Sequence, residues 1–256
     1  MKRGLYRQDS LSPERRDEYE SDLIAFCDGE LDRLGRVEAL DVLYAGGASS
    51  LWLEGLSQRI GRGGTLTALE RDAERLREGQ EGLGDAELAA PVSFVGGSVF
   101  EPPFREGTFD LVYSSGLFHE LDVRQGSATD ALAAMTRVVK PAGRVAASDF
   151  VDASGSPDPV QIEDERLDAE EARRASGAEL FGIWPTERLV GIFEGLLDHV
   201  RWEVSPPFPL RHLDRLVLAQ IPEGDGNRDA LRRRIHREGY TRPATLYVEG
   251  RKDGGG

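Results

Sequence analysis

Short, unbroken apolar runs alternate along this chain with longer segments in which apolar residues recur every three or four positions. The runs 39–45 (ALDVLYA), 65–70 (TLTALE), 89–98 (AAPVSFVGGS), 109–115 (FDLVYSS) and 143–150 have the length and density of strands covered on both faces, as in a parallel sheet. Between them, 51–60, 71–88 and 128–138 carry helical spacing, and GlyArgGlyGly at 61–64 stops the first of these. Strand and helix repeated in this way predict an α/β domain with a doubly wound, mostly parallel sheet. Ahead of it, residues 12–34 place apolar side chains at 23, 24, 26, 27, 31 and 34, with Ser12 and Pro13 at the start and Gly35 at the end. Behind it, 152–180 are acidic, polar and helix-prone after a Ser/Gly/Pro-rich link. A helix capped by Thr186 then covers 184–196, a strand 199–205, a helix 229–236 and a last strand 244–252.

Candidate chemistry collects where the strands end. Gly46, Gly47, Ala48, Ser49 and Ser50 follow the first strand, and residues this small let backbone amides approach a ligand; the plain alternative is close strand-to-helix packing. Glu70 ends the second strand, where a carboxylate can accept both hydroxyl protons of a ribose diol. A dinucleotide fingerprint would need a further glycine to seat helix on strand, and position 51 is already Leu. SerGlyLeuPheHisGluLeu (115–121) leaves the fourth strand, so His119 is the best-placed titratable group, either a proton acceptor or a hydrogen-bonded loop histidine. Asp149 ends the fifth strand at the same crevice.

Read together, ValLeuTyrAlaGlyGlyAlaSerSer (42–50), the block 99–115 with its Pro-Phe pair, tight glycine and Phe-Asp strand opening, and LysProAlaGly (140–143) before a strand resemble the class I S-adenosylmethionine-dependent methyltransferases. The resemblance spans about 38–150, and more loosely reaches 252. It implies a Rossmann-like doubly wound sheet, mostly parallel with a final antiparallel strand, N-terminal helices and a helical insertion. It implies S-adenosylmethionine as cofactor and S-adenosylhomocysteine as product. Tyr44, Ala45, Gly46 and Gly47 would then lie at the methionine end, Glu70 with Arg71 at the ribose, Gly97, Ser98 and Val99 at the adenine, and Ser115 next to the transferable methyl. His119 is the first candidate for general base and Asp149 the second, toward a small-molecule O, N, S or C nucleophile. Tyr44 and Gly97 stand where the family has acids, and Ala48 and Ser50 where it has glycines; these departures motivate the alternative of a non-catalytic or repurposed relative. The implied organisation is an N-terminal helical lid (1–36, with Tyr6, Arg7 and Tyr19 toward the site), a cofactor-binding core (37–151), an acidic helical substrate cap (152–183), the rest of the core (184–252) with an insertion at 211–239, and a disordered tail (253–256).

Composition narrows the partners. At 256 residues the chain suits one α/β domain, and a formal charge of −14 works against nucleic acid and favours small or cationic substrates. Cys27 is the only cysteine, so no internal disulfide or cysteine zinc site is available, and four scattered histidines give no metal-ligand spacing. No segment approaches the ~20 apolar residues of a membrane helix, and the N-terminus lacks the apolar region of a signal peptide. A cytoplasmic protein without metal, membrane or nucleic-acid partners is the expectation, with a homodimer left open.

Overall fold

The computed structural model describes residues 13–84, 86–153, 159–206, 226–238 and 243–254. Its strands are β1 (Asp41–Ala45), β2 (Thr65–Glu70), β3 (Val92–Gly96), β4 (Phe109–Ser115), β5 (Val139–Asp152), β6 (Trp184–Pro185), β7 (Asp198–Ser205) and β8 (Ala244–Arg251). They form one eight-stranded sheet in the order β3-β2-β1-β4-β5-β8-β7, with β6 pairing alongside the end of β5. The β1 to β5 pairings are parallel, whereas β8 runs antiparallel to β5 and to β7. This is the expected sheet, and its strand order reverses between β1 and β4, the switch point at which such sheets open a ligand crevice.

Seven described helices pack around it: α1 (Pro13–Asp32), α2 (Ser50–Ile60), α3 (Ala73–Leu83), α4 (Ala128–Val138), α5 (Pro159–Ser176), α6 (Thr186–Glu194) and α7 (Gly226–Glu238). Strand β1 shows how the pattern builds two cores. Leu43 and Ala45 enter the cluster with Leu132, Met135 and Phe193 of α4 and α6, while Val42 and Tyr44 enter the opposite cluster with Trp52, Leu53 and Leu56 of α2. The C-terminal half of α1 adds Cys27, Leu31 and Leu34 to that second cluster, so this part of the segment expected as a lid covers a sheet face. Tyr6, Arg7 and the side chain of Tyr19 lie outside the described residues, as do 211–225 of the expected insertion and the end of the tail.

Three local expectations are corrected. Helix α3 stops at Gly84 rather than running to 88, and starts on Asp72, whose carboxylate accepts from the amides of Glu74 and Arg75. Thr186 is not a cap: Pro185 occupies the N-cap after its pairing in β6, and Thr186 is the buried first helical residue. The Lys-Pro-Ala-Gly turn sits inside β5 as a bulge, where the register jumps from Phe109↔Val139 to Leu111↔Arg144 and Ala142 takes a φ of 60°. Lys140 pins that bulge by pairing with Asp41 at 3.1 Å and Asp110 at 2.9 Å. Among the described residues no helix is long and apolar enough to cross a membrane.

Candidate active site

The exits of β1, β2 and β3 form one half of the crevice, largely from backbone and small side chains. Gly46 adopts a φ of 75°, and a Cβ there would lie 2.3 Å from Leu117 Cδ1. The amides of Gly46 and Gly47 both donate to the Leu69 carbonyl, at 2.8 and 3.2 Å, which folds the turn tightly over β2. Ser49, at the N-cap of α2, makes no side-chain capping bond, so the first-turn amides stay available as donors to an anionic group. Ala48 and Ser50, where the resemblance called for glycines, meet glycines on α3 instead. A Cβ on Gly79 would lie 2.2 Å from the Ala48 carbonyl oxygen and 3.0 Å from its methyl, and one on Gly82 would lie 2.8 Å from Ser50 Oγ.

Tyr44 is corrected to a packing residue: it is 3% exposed and stacks on Tyr113 with ring centroids 6.0 Å apart. Burial pushes its phenol well above the ordinary tyrosine value, so it stays neutral and gives no carboxylate charge. Glu70 is buried at the end of β2. Its Oε1 accepts from the Asp72 amide at 2.9 Å, and no other hydrogen bond to its carboxylate is present among the described residues. Arg71 beside it is exposed. Gly97 donates to the Glu70 carbonyl at 3.1 Å, and a Cβ on it would lie 3.0 Å from both Leu69 Cδ1 and Pro103 Cδ. Ser98 Oγ accepts from the Phe100 amide at 3.2 Å, which leaves its proton to donate. Val99 is a core residue next to Leu69 and Leu117, and Ser115 precedes Gly116, whose amide donates to the Ser148 carbonyl at 2.8 Å.

The exits of β4 and β5 form the other half from side chains. His119 sits in a short 3-10 turn (Phe118–Glu120), with Nδ1 2.6 Å from Asp149 Oδ1. Asp149 is buried, and it also accepts from the Phe150 amide at 2.8 Å and the Phe118 amide at 2.5 Å. Acceptor-only oxygens held in this way assign the proton to Nδ1 and leave Nε2 with its lone pair. Burial works to lower the His119 pKa, but the Asp149 charge and hydrogen bond, with Glu120 and Glu165 behind them, raise it overall. Glu120 Oε1 stands 3.9 Å from Nε2.

Glu165 comes from α5, and burial pushes its carboxyl up to about 7, against the Ile183 amide that donates to it and the charge of His119. The segment after α5 is laced to the histidine loop: Gly182 donates to the His119 carbonyl at 3.0 Å, and Phe181 to that of Leu121 at 2.8 Å. Phe118, His119, Asp149, Phe150, Phe181 and Trp184 line a small cavity of about 10 Å³. Phe181 and Trp184 stack at 3.7 Å, and the Arg188 guanidinium lies against both rings. Helix α7 braces α5 through Arg228, which pairs with Asp168 at 3.1 Å and Glu171 at 2.7 Å. Among the described residues no three His, Cys, Asp or Glu side chains could hold a metal ion.

His119 and Asp149, chosen from sequence, are brought together. Glu165, Phe181, Trp184 and Arg188, which the structure brings beside them, were not singled out from sequence: the last three lie in an aromatic cluster, FGIWPTER (181–188), and Glu165 in the acidic segment before it.

A family model described as a methyltransferase domain matches residues 40–147. No curated protein matches. Among solved structures, the chain is similar to a protein from Galdieria sulphuraria assigned as a sarcosine dimethylglycine methyltransferase, at 17% identity and a TM-score of 0.64, covering 98% of this chain and 92% of that one. It is also similar to the geranyl diphosphate C-methyltransferase of Streptomyces coelicolor A3(2), at 13% identity and 0.59, covering 95% and 84%. A third likeness is to a SAM-dependent methyltransferase from Aquifex aeolicus, at 16% identity and 0.52, covering 94% and 93%. These likenesses show the fold, and the matched domain spans the strand exits from Gly46 to Ser115 together with His119. Residues 40–147 thus match a methyltransferase domain, and the chain shares the fold of S-adenosylmethionine-dependent methyltransferases.

Proposed function

We propose that the protein methylates a small molecule at an oxygen, nitrogen, sulfur or carbon nucleophile, with His119 as general base and Asp149 as the residue that positions it. The observation carrying this reading is the 2.6 Å bond from His119 Nδ1 to Asp149 Oδ1, which fixes the imidazole at the carboxyl ends of β4 and β5 with Nε2 free to accept a proton. Asp149 is not a second base, since its carboxylate is buried and already holds the imidazole and two amides.

When bound, S-adenosylmethionine supplies a methyl group already activated on a sulfonium. The residues present fit it. The Gly46/Gly47 turn and the uncapped start of α2 suit the carboxylate of its methionine part, Glu70 suits the ribose diol, and Gly97, Ser98 and Val99 suit the adenine. Ser115 leads into the histidine loop between the two halves, while Tyr44 supports the turn from below and Arg71 lies at the rim. What remains for the chain is to orient the acceptor and keep water out. Phe150, Phe181 and Trp184 supply apolar walls, and α5 braced by α7 acts as the substrate cap.

The test is calorimetric binding of S-adenosylmethionine and S-adenosylhomocysteine, followed by S-adenosylhomocysteine release over an acceptor panel for wild type and His119→Gln. Both ligands should bind each protein, while turnover of the variant drops by ~10²–10⁴-fold. Absence of binding at millimolar ligand overturns the methyl-transfer reading, and undiminished turnover of the variant overturns the role of His119.

A further inference from the structure

We infer that the acceptor is a small amine that also carries a carboxylate, with its nitrogen in the cavity beside His119 and its carboxylate on Arg188. The inference rests on the methyl-transfer reading and narrows it.

The first observation is the sign of the field around the imidazole. Asp149, Glu120 and Glu165 all raise the His119 pKa; Asp149 lies 2.6 Å and Glu120 3.9 Å from the imidazole nitrogens, Glu120 being also paired with Arg75 at 3.4 Å. The cavity walls are aromatic faces, with Phe150 at 5.1 Å from the imidazole centroid and the Phe181/Trp184 stack opposite. Carboxylates combined with ring faces stabilise an ammonium and repel a phosphate or an enolate. Glu165 sits half-buried against Ile183, next to the lining residue Gly182, and an ammonium would give it the countercharge that burial otherwise denies it.

The second observation is Arg188. The chain has 46 Asp and Glu against 32 Lys and Arg, and arginines elsewhere pair readily: Arg59 with Asp32, Arg166 with Glu163, Arg228 with Glu171. Arg188 has no carboxylate partner among the described residues, and desolvation is the one influence moving its pKa, downward. It lies against the Phe181 and Trp184 rings that also wall the cavity. A planar guanidinium beside ring faces is suited to a carboxylate in bidentate fashion. The cavity, about 10 Å³, has room for one water-sized group such as an amine nitrogen, so the rest of the ligand extends toward the rim.

The step balances without a further reactant. An ammonium gives one proton to His119 Nε2, and the freed lone pair forms the N–C bond to the methyl. The methyl–sulfur bond breaks with its electron pair staying on sulfur, which leaves as the neutral thioether S-adenosylhomocysteine. The N-methylated product leaves as an ammonium, and His119 passes the proton it took to solvent.

The experiment measures S-adenosylhomocysteine release and product mass with glycine, β-alanine and 4-aminobutyrate, each also as its N-methyl form, against methylamine, propylamine, hydroxyacetate and phenol. Turnover should favour the amino carboxylates. In Arg188→Met their KM should rise ~10–100-fold with a smaller change in kcat, the size expected for a lost charge-assisted pair, and Arg188→Lys should recover part of it. Arg188 is exposed, so its replacement leaves the core intact, and an unchanged melting temperature checks this. Preference for phenol or hydroxyacetate, equal use of amines lacking a carboxylate, or no amine turnover by protein that binds S-adenosylhomocysteine overturns the inference. Failure to bind S-adenosylhomocysteine overturns instead the methyl-transfer reading beneath it.

Discussion

The two halves of the crevice are built by different means. The half proposed for the cofactor is made by one continuous stretch, 41–99, in which turns, glycines and a single carboxylate sit at successive strand ends. The half proposed for the acceptor gathers His119, Asp149, Glu165 and the 181–188 segment from four places in the chain. Backbone recognition depends on main-chain course, which the sheet fixes, and tolerates many side-chain changes. Side-chain recognition depends on each rotamer, so it can be retuned residue by residue. The first half therefore suits a ligand shared across a family, and the second a ligand particular to one member.

The comparison can be broken most severely at His119. His119→Gln should lower methyl transfer by ~10²–10⁴-fold while calorimetry finds S-adenosylhomocysteine affinity unchanged, because the loss falls on one half alone. Asp149→Asn sharpens the same point through pH. The folded-state pKa of His119 is raised, so wild-type kcat/KM should climb as pH passes above about 6.5, and losing the Asp149 charge should move that limb to lower pH with a reduced plateau.

Next in size is Gly79→Val, which sets a side chain against the Ala48 carbonyl. A destabilisation of ~1–3 kcal/mol in urea titration is expected, together with weaker cofactor binding. Glu70→Ala should weaken S-adenosylhomocysteine about tenfold, near ~1.4 kcal/mol, with acceptor KM unchanged.

The smallest effect is the slope of melting temperature with pH. Glu165 has its folded pKa raised from 4.5 to about 7, so the folded state holds a proton that the unfolded chain gives up, and stability falls as pH rises through that window. His119, also raised, contributes fully below about 6.5 and loses its contribution as pH passes its folded value. Glu165→Gln should flatten the decline between pH 5 and 7, and an unaltered slope would remove Glu165 from the site.

The legibility of the sequence follows the same division. Strand ends near one another in the chain announced Gly46, Glu70, Ser98 and His119, because hydrophobic periodicity locates strands and parallel topology sends their ends to one edge. Tyr44 was misplaced because a position in a motif does not say which face of a strand the side chain takes; the alternation of β1 turned it into the core. Thr186 was misplaced because a two-residue strand, Trp184–Pro185, is too short for any pattern to reveal. Glu165 and Arg188 stayed hidden because their roles arise only when α5 and α6 close on the end of β5, and an acidic helix reads from sequence as a solvated one.

The meeting of Ala48 with Gly79, and of Ser50 with Gly82, bears on how relatives of this chain are recognised. Here the side chains of Ala48 and Ser50 find their room at glycines of the facing helix, about thirty residues away. A profile that scores each column alone charges the chain for Ala48 and gives no credit for Gly79. Positions 48 and 79, and likewise 50 and 82, should therefore vary in concert, small opposite large. A search that weighs these columns as pairs would gather lineages in which the loop has drifted while the space between loop and helix has been kept.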